Sequence, residues 1–506
     1  MTPHDASAAT SEAMAAAVSA LPVLEPILAE FGTLTLAAYM DRVLQAPPAP
    51  LDLLKAVYDE TADLFGADLA RRTATAVEAC AALPTANHHG VDFFAQSVQE
   101  NLMLALQKPP AQSTGAMPIL AFSNVALGNL TYPRGLLIYD PAVIAREDRP
   151  LRCPLFPASE RRRPVATAPA LTIGQINGAI AQLRRQRIDP RLAKTAIGLL
   201  ADLYLDPALL AHPDYLHQAA HLNRKIWKRL FTDPPLAPEL VFLAAESVTT
   251  RLLSEDLRAP ESLAYRCFFE PPLRRALVDA LEGIPGCWKG SGSNPANTGS
   301  VLFWGLDRKG RLIGLDLIED LHNGARLESR NGTETFALPL DPAAVYEMLA
   351  AGRLLPTLYT CFLEIALARR VVCLGGYYQI SYLPQMQAAT AAALDAVGDH
   401  DTARKVAAVA TDRYFSGMLA IMLRRGQALF PAGPVEIIAC GGLSGADLDR
   451  MANLKVGQAH LAGLFDTLAD AVPPDRRPLH WATALAQACG DFLHGAVTVK
   501  DLSAAS

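Results

Sequence analysis

The chain has 506 residues, 51% of them hydrophobic and 19% charged, with a formal net charge of −6. A mean hydropathy of +0.17 and a pI of about 6.0 allow a large buried core, and they give no global electrostatic reason for a nucleic-acid or membrane partner. Cys80, Cys153, Cys267, Cys287, Cys361, Cys373, Cys440 and Cys489 follow no framework spacing, which predicts reduced thiols in a cytoplasmic protein.

The Ala-rich start, Ala6–Leu21, holds Glu12 and lacks a basic flank, so it does not read as a secretion signal. Residues 12–82 read as helices: Leu24, Leu28, Phe31 and Leu34 recur at helical spacing, as do Leu53, Leu54, Val57 and Leu64. The Pro-rich stretch Ala46–Pro50 separates the two groups.

Ala81-Ala82-Leu83 is short and apolar, Thr85-Ala86-Asn87-His88-His89-Gly90 is polar, and Val91–Gln107 carries apolar residues at helical spacing with Gln96, Gln99 and Glu100 between them. That order predicts a strand, a ligand-binding turn and an amphipathic helix whose N-terminus offers N–H groups to an anion. Gly90 would supply an unusual backbone angle. The paired imidazoles of His88 and His89 can donate hydrogen bonds, accept protons near neutral pH or bind metal. The same residues also suit a solvated turn in which Asn87 caps the helix. Adjacent histidines point apart, and no HExxH or paired CxxC pattern adds ligands, so no metal site is expected.

Met117–Phe122 reads as a second buried strand, making a right-handed parallel unit with the first. Asn124 and Asn129 follow it, and Arg134 precedes a third apolar run, Leu136–Tyr139. Ligand crevices lie beyond strand C-termini, which would bring Asn124 and Arg134 to face His88, Arg134 as an anion clamp. An Asx-rich turn with a surface arginine fits equally. Residues 141–170 form a Pro- and Arg-rich boundary, and Leu171–Leu281 is mainly helical, with a break at Pro234–Pro238. His217 and His221 share a helical face there, a surface or structural arrangement.

Gly286–Pro295 is a small-residue loop in which Lys289 and Ser291 can cradle phosphate, although the GxxxxGK[ST] order is absent. The cofactor is left open, a nucleotide being one candidate. Val301–Trp304, Leu312–Leu317 and Arg326–Ser329 alternate as an antiparallel meander, with Asp316 and Glu319 on it. Leu354–Leu367 is apolar but too short and interrupted to span a bilayer. The strand Val371–Leu374 ends in Gly375-Gly376-Tyr377-Tyr378-Gln379, with Tyr382 beyond. This is a second candidate ligand wall, with close backbone approach, hydrogen-bonding groups and aromatic faces. Residues 386–425 and 445–495 return to helix.

Three segments, Thr85–Gly90, Met117–Leu120, and Leu355-Pro356-Thr357 through Gly375-Gly376 to Ile380-Ser381-Tyr382, together resemble the cysteine ligase family that completes bacillithiol synthesis. The resemblance covers 85–140 and 300–387. It implies a nucleotidylyltransferase-like Rossmann core. Where that family carries an acidic, His-rich turn, this chain has Ser123-Asn124-Val125-Ala126-Leu127, and the family's long C-terminal coiled coil is not evident after 386. The resemblance therefore implies a related scaffold with altered chemistry.

The expected architecture is α/β: a Rossmann-like parallel sheet core with a helical insertion, a small antiparallel meander and a helical C-terminal region. Its parts are an N-terminal helical region (1–82), the first part of the core (83–150), the insertion (151–285), the β-rich segment with the second part of the core (286–390) and the C-terminal region (391–506). The expected activity is a biosynthetic ligase or transferase joining an amino-acid-like group to a small polar acceptor, with His88 or His89 as acid/base and Asn124 and Arg134 as orienting groups. Thr85, Asn87, Gly90, Asn129 and the Gly375–Tyr382 wall would bind substrate. The alternatives are a metal-dependent hydrolase, lyase or oxidoreductase using the histidines with Asp316 or Glu319, and a non-catalytic small-molecule binder. The expected partner is a small molecule, with no nucleic acid or membrane, and a homo-oligomer is admissible.

Overall fold

The computed structural model describes residues 3–106, 115–233, 236, 238–289, 299–320, 324–330, 336–477, 480–493 and 495–502, with side chains from residue 11 onward. It is a mixed α/β structure whose strands form small sheets. Strands β1 (Ala82–Pro84), β2 (Ala116–Ala121), β3 (Gly135–Ile138), β4 (Leu151–Pro154) and β5 (Glu239–Ala244) come first. Next come β6 (Phe303–Leu306), β7 (Leu312–Ile313), β8 (Leu315–Asp320), β9 (Gly324–Ser329), β10 (Ala337–Pro339) and β11 (Leu354–Pro356), which form two antiparallel sheets, β11-β6-β7 and β10-β9-β8, in place of the single meander expected. Then come β12 (Val372–Leu374), β13 (Ile421–Arg425), β14 (Ala428–Pro431) and β15 (Thr498–Asp501).

Two parallel pairs occupy the centre, β2 with β5 and β1 with β12. Just beyond β1 and β2, a parallel bridge joins His88 to Phe122, and beyond β12 another joins Gly375 to Tyr414. Side chains on these strands alternate between two apolar clusters. Ala82, Ile119, Phe242 and Leu374 enter one, while Leu83, Leu120, Val241 and Cys373 enter the other. A two-residue period with both faces apolar is what strands covered on both sides require, and it explains their unbroken hydrophobic runs.

The N-terminal helices form as expected, among them Leu24–Phe31, Leu51–Phe65 and Ala67–Ala79. Four further expectations need correction. The stretch expected to be a helical insertion supplies β5, which pairs with β2 along its whole length. The third apolar run, β3, turns back against β4 as an antiparallel hairpin instead of extending the parallel unit. The C-terminal region contains the β14-β13-β15 sheet as well as helices. Finally, the helix after Gly90 begins at Ala95, not Val91, and is buried on its polar face too: Gln99 and Glu100 are 0% and 1% exposed. Asn87 therefore caps nothing.

Gln99 shows why a polar face is buried there. Its Oε1 accepts from the N–H groups of Ala420 and Ile421 at 2.7 and 2.8 Å. Its Nε2 donates to Ile421 and Ala432 carbonyls at 2.9 and 2.8 Å. One side chain thus satisfies four backbone groups at the start of β13 and beyond the end of β14. Among the described residues no helix is long and apolar enough to cross a membrane, and all eight cysteines are free thiols.

Candidate functional site

A cleft of about 380 Å³ opens where the parallel strands end. Thr85, Ala86 and His88 reach it from beyond β1, Phe122 and Asn124 from beyond β2, and Gly376, Tyr377 and Tyr378 from beyond β12. The Ala95–Ala105 helix adds Gln96, Ser97 and Glu100, and the loop after β2 adds Asn129 and Thr131. Gln379 and Tyr382 line it from the Gln379–Ala396 helix, Ser416 from the segment before β13, and Asp470 from the Val456–Ala471 helix. No lysine or arginine is among the lining residues.

The half-buried His88 places Nδ1 3.0 Å from Asn129 Oδ1. That oxygen also accepts the Thr131 N–H at 3.0 Å, so it acts as an acceptor toward the ring as well. Nδ1 therefore carries the proton and Nε2 keeps the lone pair. Burial lowers the His88 pKa, against the opposing effect of Asn129, which keeps the ring neutral and able to accept a proton at pH 7. The Asn124 backbone N–H and both Ser123 donors are held by the buried Glu246 carboxylate at 2.7–2.9 Å. This fixes the turn that presents Asn124 to the cleft.

Facing these groups is a hydrogen-bonded chain. Gln96 Nε2 donates to Ser416 Oγ at 2.7 Å, and Ser416 Oγ donates to Glu100 Oε1 at 2.6 Å. The Gly417 N–H reaches the same carboxyl oxygen at 3.0 Å. Burial pushes the Glu100 pKa up to about 8, the hydrogen bonds only partly opposing it, so this acid is protonated at neutral pH. Asp466 is likewise pushed to about 8 by burial and by the nearby Glu100 and Asp470. It accepts from the Gln96 backbone N–H, so a protein carboxyl already sits at the helix N-terminus expected to receive a ligand anion. The Tyr377 hydroxyl donates to Asp470, whose pKa is raised by burial. Asp92, bound by the Ser97 hydroxyl, is pushed to about 6 by burial.

The cleft thus gathers Thr85, His88, Asn124, Asn129, Gly376, Tyr377, Tyr378, Gln379 and Tyr382 of the residues expected from sequence. Thr85 and Gln379 hold each other at 2.8 Å, tying the ends of β1 and β12 together. Other expected residues stand elsewhere. His89 turns into the core, 0% exposed, where its Nδ1 accepts the Gly90 N–H at 2.9 Å and its ring meets the edge of Phe242. Burial lowers its pKa to about 4. Asn87 is fully buried and its side-chain amide has no hydrogen-bond partner.

Gly90 and Gly375 serve the backbone. Gly90 has φ 128°, and a Cβ there would sit 2.3 Å from the Pro133 ring. Gly375 pairs with the 413–415 segment through bonds of 2.9 Å to Arg413 and Phe415. Arg134 is drawn away with β3 and stacks near Tyr132. Lys289 is exposed and apart from the cleft lining, and Ser291 lies outside the described residues. Asp316 is ion-paired to Arg330, and Glu319 to Arg274 and Arg275. His212 stacks on His221 with ring centroids 4.2 Å apart. No group of three or more potential ligands able to hold a metal occurs among the described residues.

Sequence reasoning missed Gln96, Ser97, Glu100, Ser416 and Asp470. A signal for the first three exists: Ala95–Ala105 contains no lysine or arginine, although solvated helix faces ordinarily carry them. The chain matches no protein-family model, no curated protein and no solved structure.

Proposed function

We propose that the two parallel pairs and their bridges belong to one Rossmann-like core ordered β5-β2-β1-β12 and then the 413–415 segment, with the cleft as its active site. In such a sheet the strand order reverses between β1 and β12, and ligands bind beside that point at the strand C-termini. Thr85, Gly376 and Gln379 line the cleft there.

The reaction we propose is biosynthetic transfer of an amino-acid-like acyl group from an oxygen leaving group to a small amine acceptor. A single observation carries this reading: one cleft holds a neutral imidazole, His88, and a protonated carboxyl, Glu100, an acid–base pair separated by environment. The amine nitrogen bonds to the acyl carbon and its proton passes to His88 Nε2. The acyl–oxygen bond breaks, and the departing oxygen takes a proton from Glu100. A lining without lysine or arginine gives a phosphate no cation to bind and suits a small amine better.

The test is untargeted mass spectrometry of a metabolite extract incubated with the protein. A condensation product should form with the wild type and fall by about 100-fold or more with His88→Ala. If no species in the extract changes in a His88-dependent way, the reading is wrong.

A further inference from the structure

Arg134, just before β3, and Arg152 of β4 each lie against the same aromatic ring. The two guanidinium carbons lie 5.6 and 5.2 Å from the centroid of Tyr132. Tyr132 is 4% exposed and held at φ 56°, in the left-handed region that non-glycine residues seldom occupy. Its conformation is supported by bonds from Tyr132 N–H to Asn129 carbonyl and from Gly135 N–H to Tyr132 carbonyl.

Both arginines have a buried Nε without a hydrogen-bond partner. Among the described residues neither forms an ion pair within 4.0 Å. Burial lowers the Arg152 pKa, and the nearby cations Arg149 and Arg134 lower it further. Two half-buried guanidiniums against one ring, neither of them ion-paired among the described residues, form a positive site. A guanidinium offers several donors in a planar fork, matched to carboxylate or phosphate oxygens.

We propose that Arg134 and Arg152 form an oxyanion-binding clamp for a phosphate or polycarboxylate group, separate from the cleft. Tyr132 orients the two forks, and Thr131, which precedes it, lines the cleft beside His88. An anion on the clamp therefore borders the loop that sets the His88 tautomer. The clamp does not depend on the amine-transfer reading, because its probes are simple anions and its residues lie outside the cleft.

Isothermal titration calorimetry at constant ionic strength, with inorganic phosphate in one arm and citrate in the other, tests it. Saturable binding of at least one anion is expected, weakened at least tenfold by Arg152→Gln and lost in the Arg134→Gln/Arg152→Gln double variant. Lys405→Gln, which removes one exposed positive charge elsewhere, should leave binding unchanged. Preference for phosphate or citrate tells which kind of oxyanion the clamp takes. Absence of saturable binding, binding undiminished in the double variant, or equal weakening by Lys405→Gln overturns the clamp. If the double variant does not fold, Arg152→Lys decides: it keeps the charge and loses the fork, so several-fold weaker binding supports the proposal and equal binding overturns it.

Discussion

Ser416 donates its hydroxyl proton to Glu100 Oε1 at 2.6 Å, although 316 residues of chain separate the two. This contact joins the helix after β1 to the segment before β13, so the acid of the cleft exists only when both ends of the central region are in place.

Glu100 and Asp466 are held at about 8, from ordinary values of 4.5 and 3.8. Each binds a proton in the folded state that the unfolded chain gives up, so their contribution is whole at low pH and lost as pH rises through about 8. His89 and His460, lowered by burial from 6.5 to about 4, act oppositely, and their contribution is lost as pH falls through about 4. Thermal unfolding across pH should therefore show these groups lowering stability between about pH 6.5 and about pH 8, with no further loss from them above it. Glu100→Gln should shallow the alkaline limb by up to ~1.4 kcal/mol per pH unit.

Asn129 fixes the His88 tautomer. In histidine nitrogen NMR spectra at pH 7, the wild type should show a protonated Nδ1 and an unprotonated Nε2. Asn129→Ala should give a mixture of both tautomers. An unchanged spectrum in that variant would mean that another group sets the proton.

Gly90→Ala meets two obstacles, the positive φ and the Pro133 ring 2.3 Å from the new Cβ. Urea unfolding should show a loss of about 2–4 kcal/mol, whereas Gly283→Ala, at φ 84° with open space around it, should cost only about 1 kcal/mol.

Gln99→Leu would keep the volume and remove four hydrogen bonds to buried backbone around β13 and β14. Leaving those groups unsatisfied should cost about 3 kcal/mol or more. Hydrogen exchange at Ala420 and Ile421 should accelerate ahead of exchange in β2.

Much of the centre was legible in the sequence, because β1, β2 and β12 are apolar runs closed by polar or glycine turns. β5 was not, since Glu239–Ala244 passes into the Ala245–Asp256 helix without a turn residue between them. The β13–β14 hairpin was also missed, although Gly426 at φ 63° marks its turn between two apolar runs. In the site, His88 and the Gly376–Gln379 wall follow from local pattern, as does the divergence of His88 and His89. Glu100 with Ser416, and Tyr377 with Asp470, depend on contacts that no local spacing encodes. Arg134 was misplaced because the direction of β3 is decided by its partner β4.

Thr85 and Leu374, which hydrogen-bond where β1 meets β12, are 289 residues apart. At about 5–20 residues per second a ribosome needs roughly 15–60 s to make that stretch. Throughout that interval the nascent β1 has one flank without its permanent neighbour. A protein built this way depends on whatever shields that edge during synthesis, and slower translation of the middle third would lengthen the exposure and raise the yield of aggregated chains.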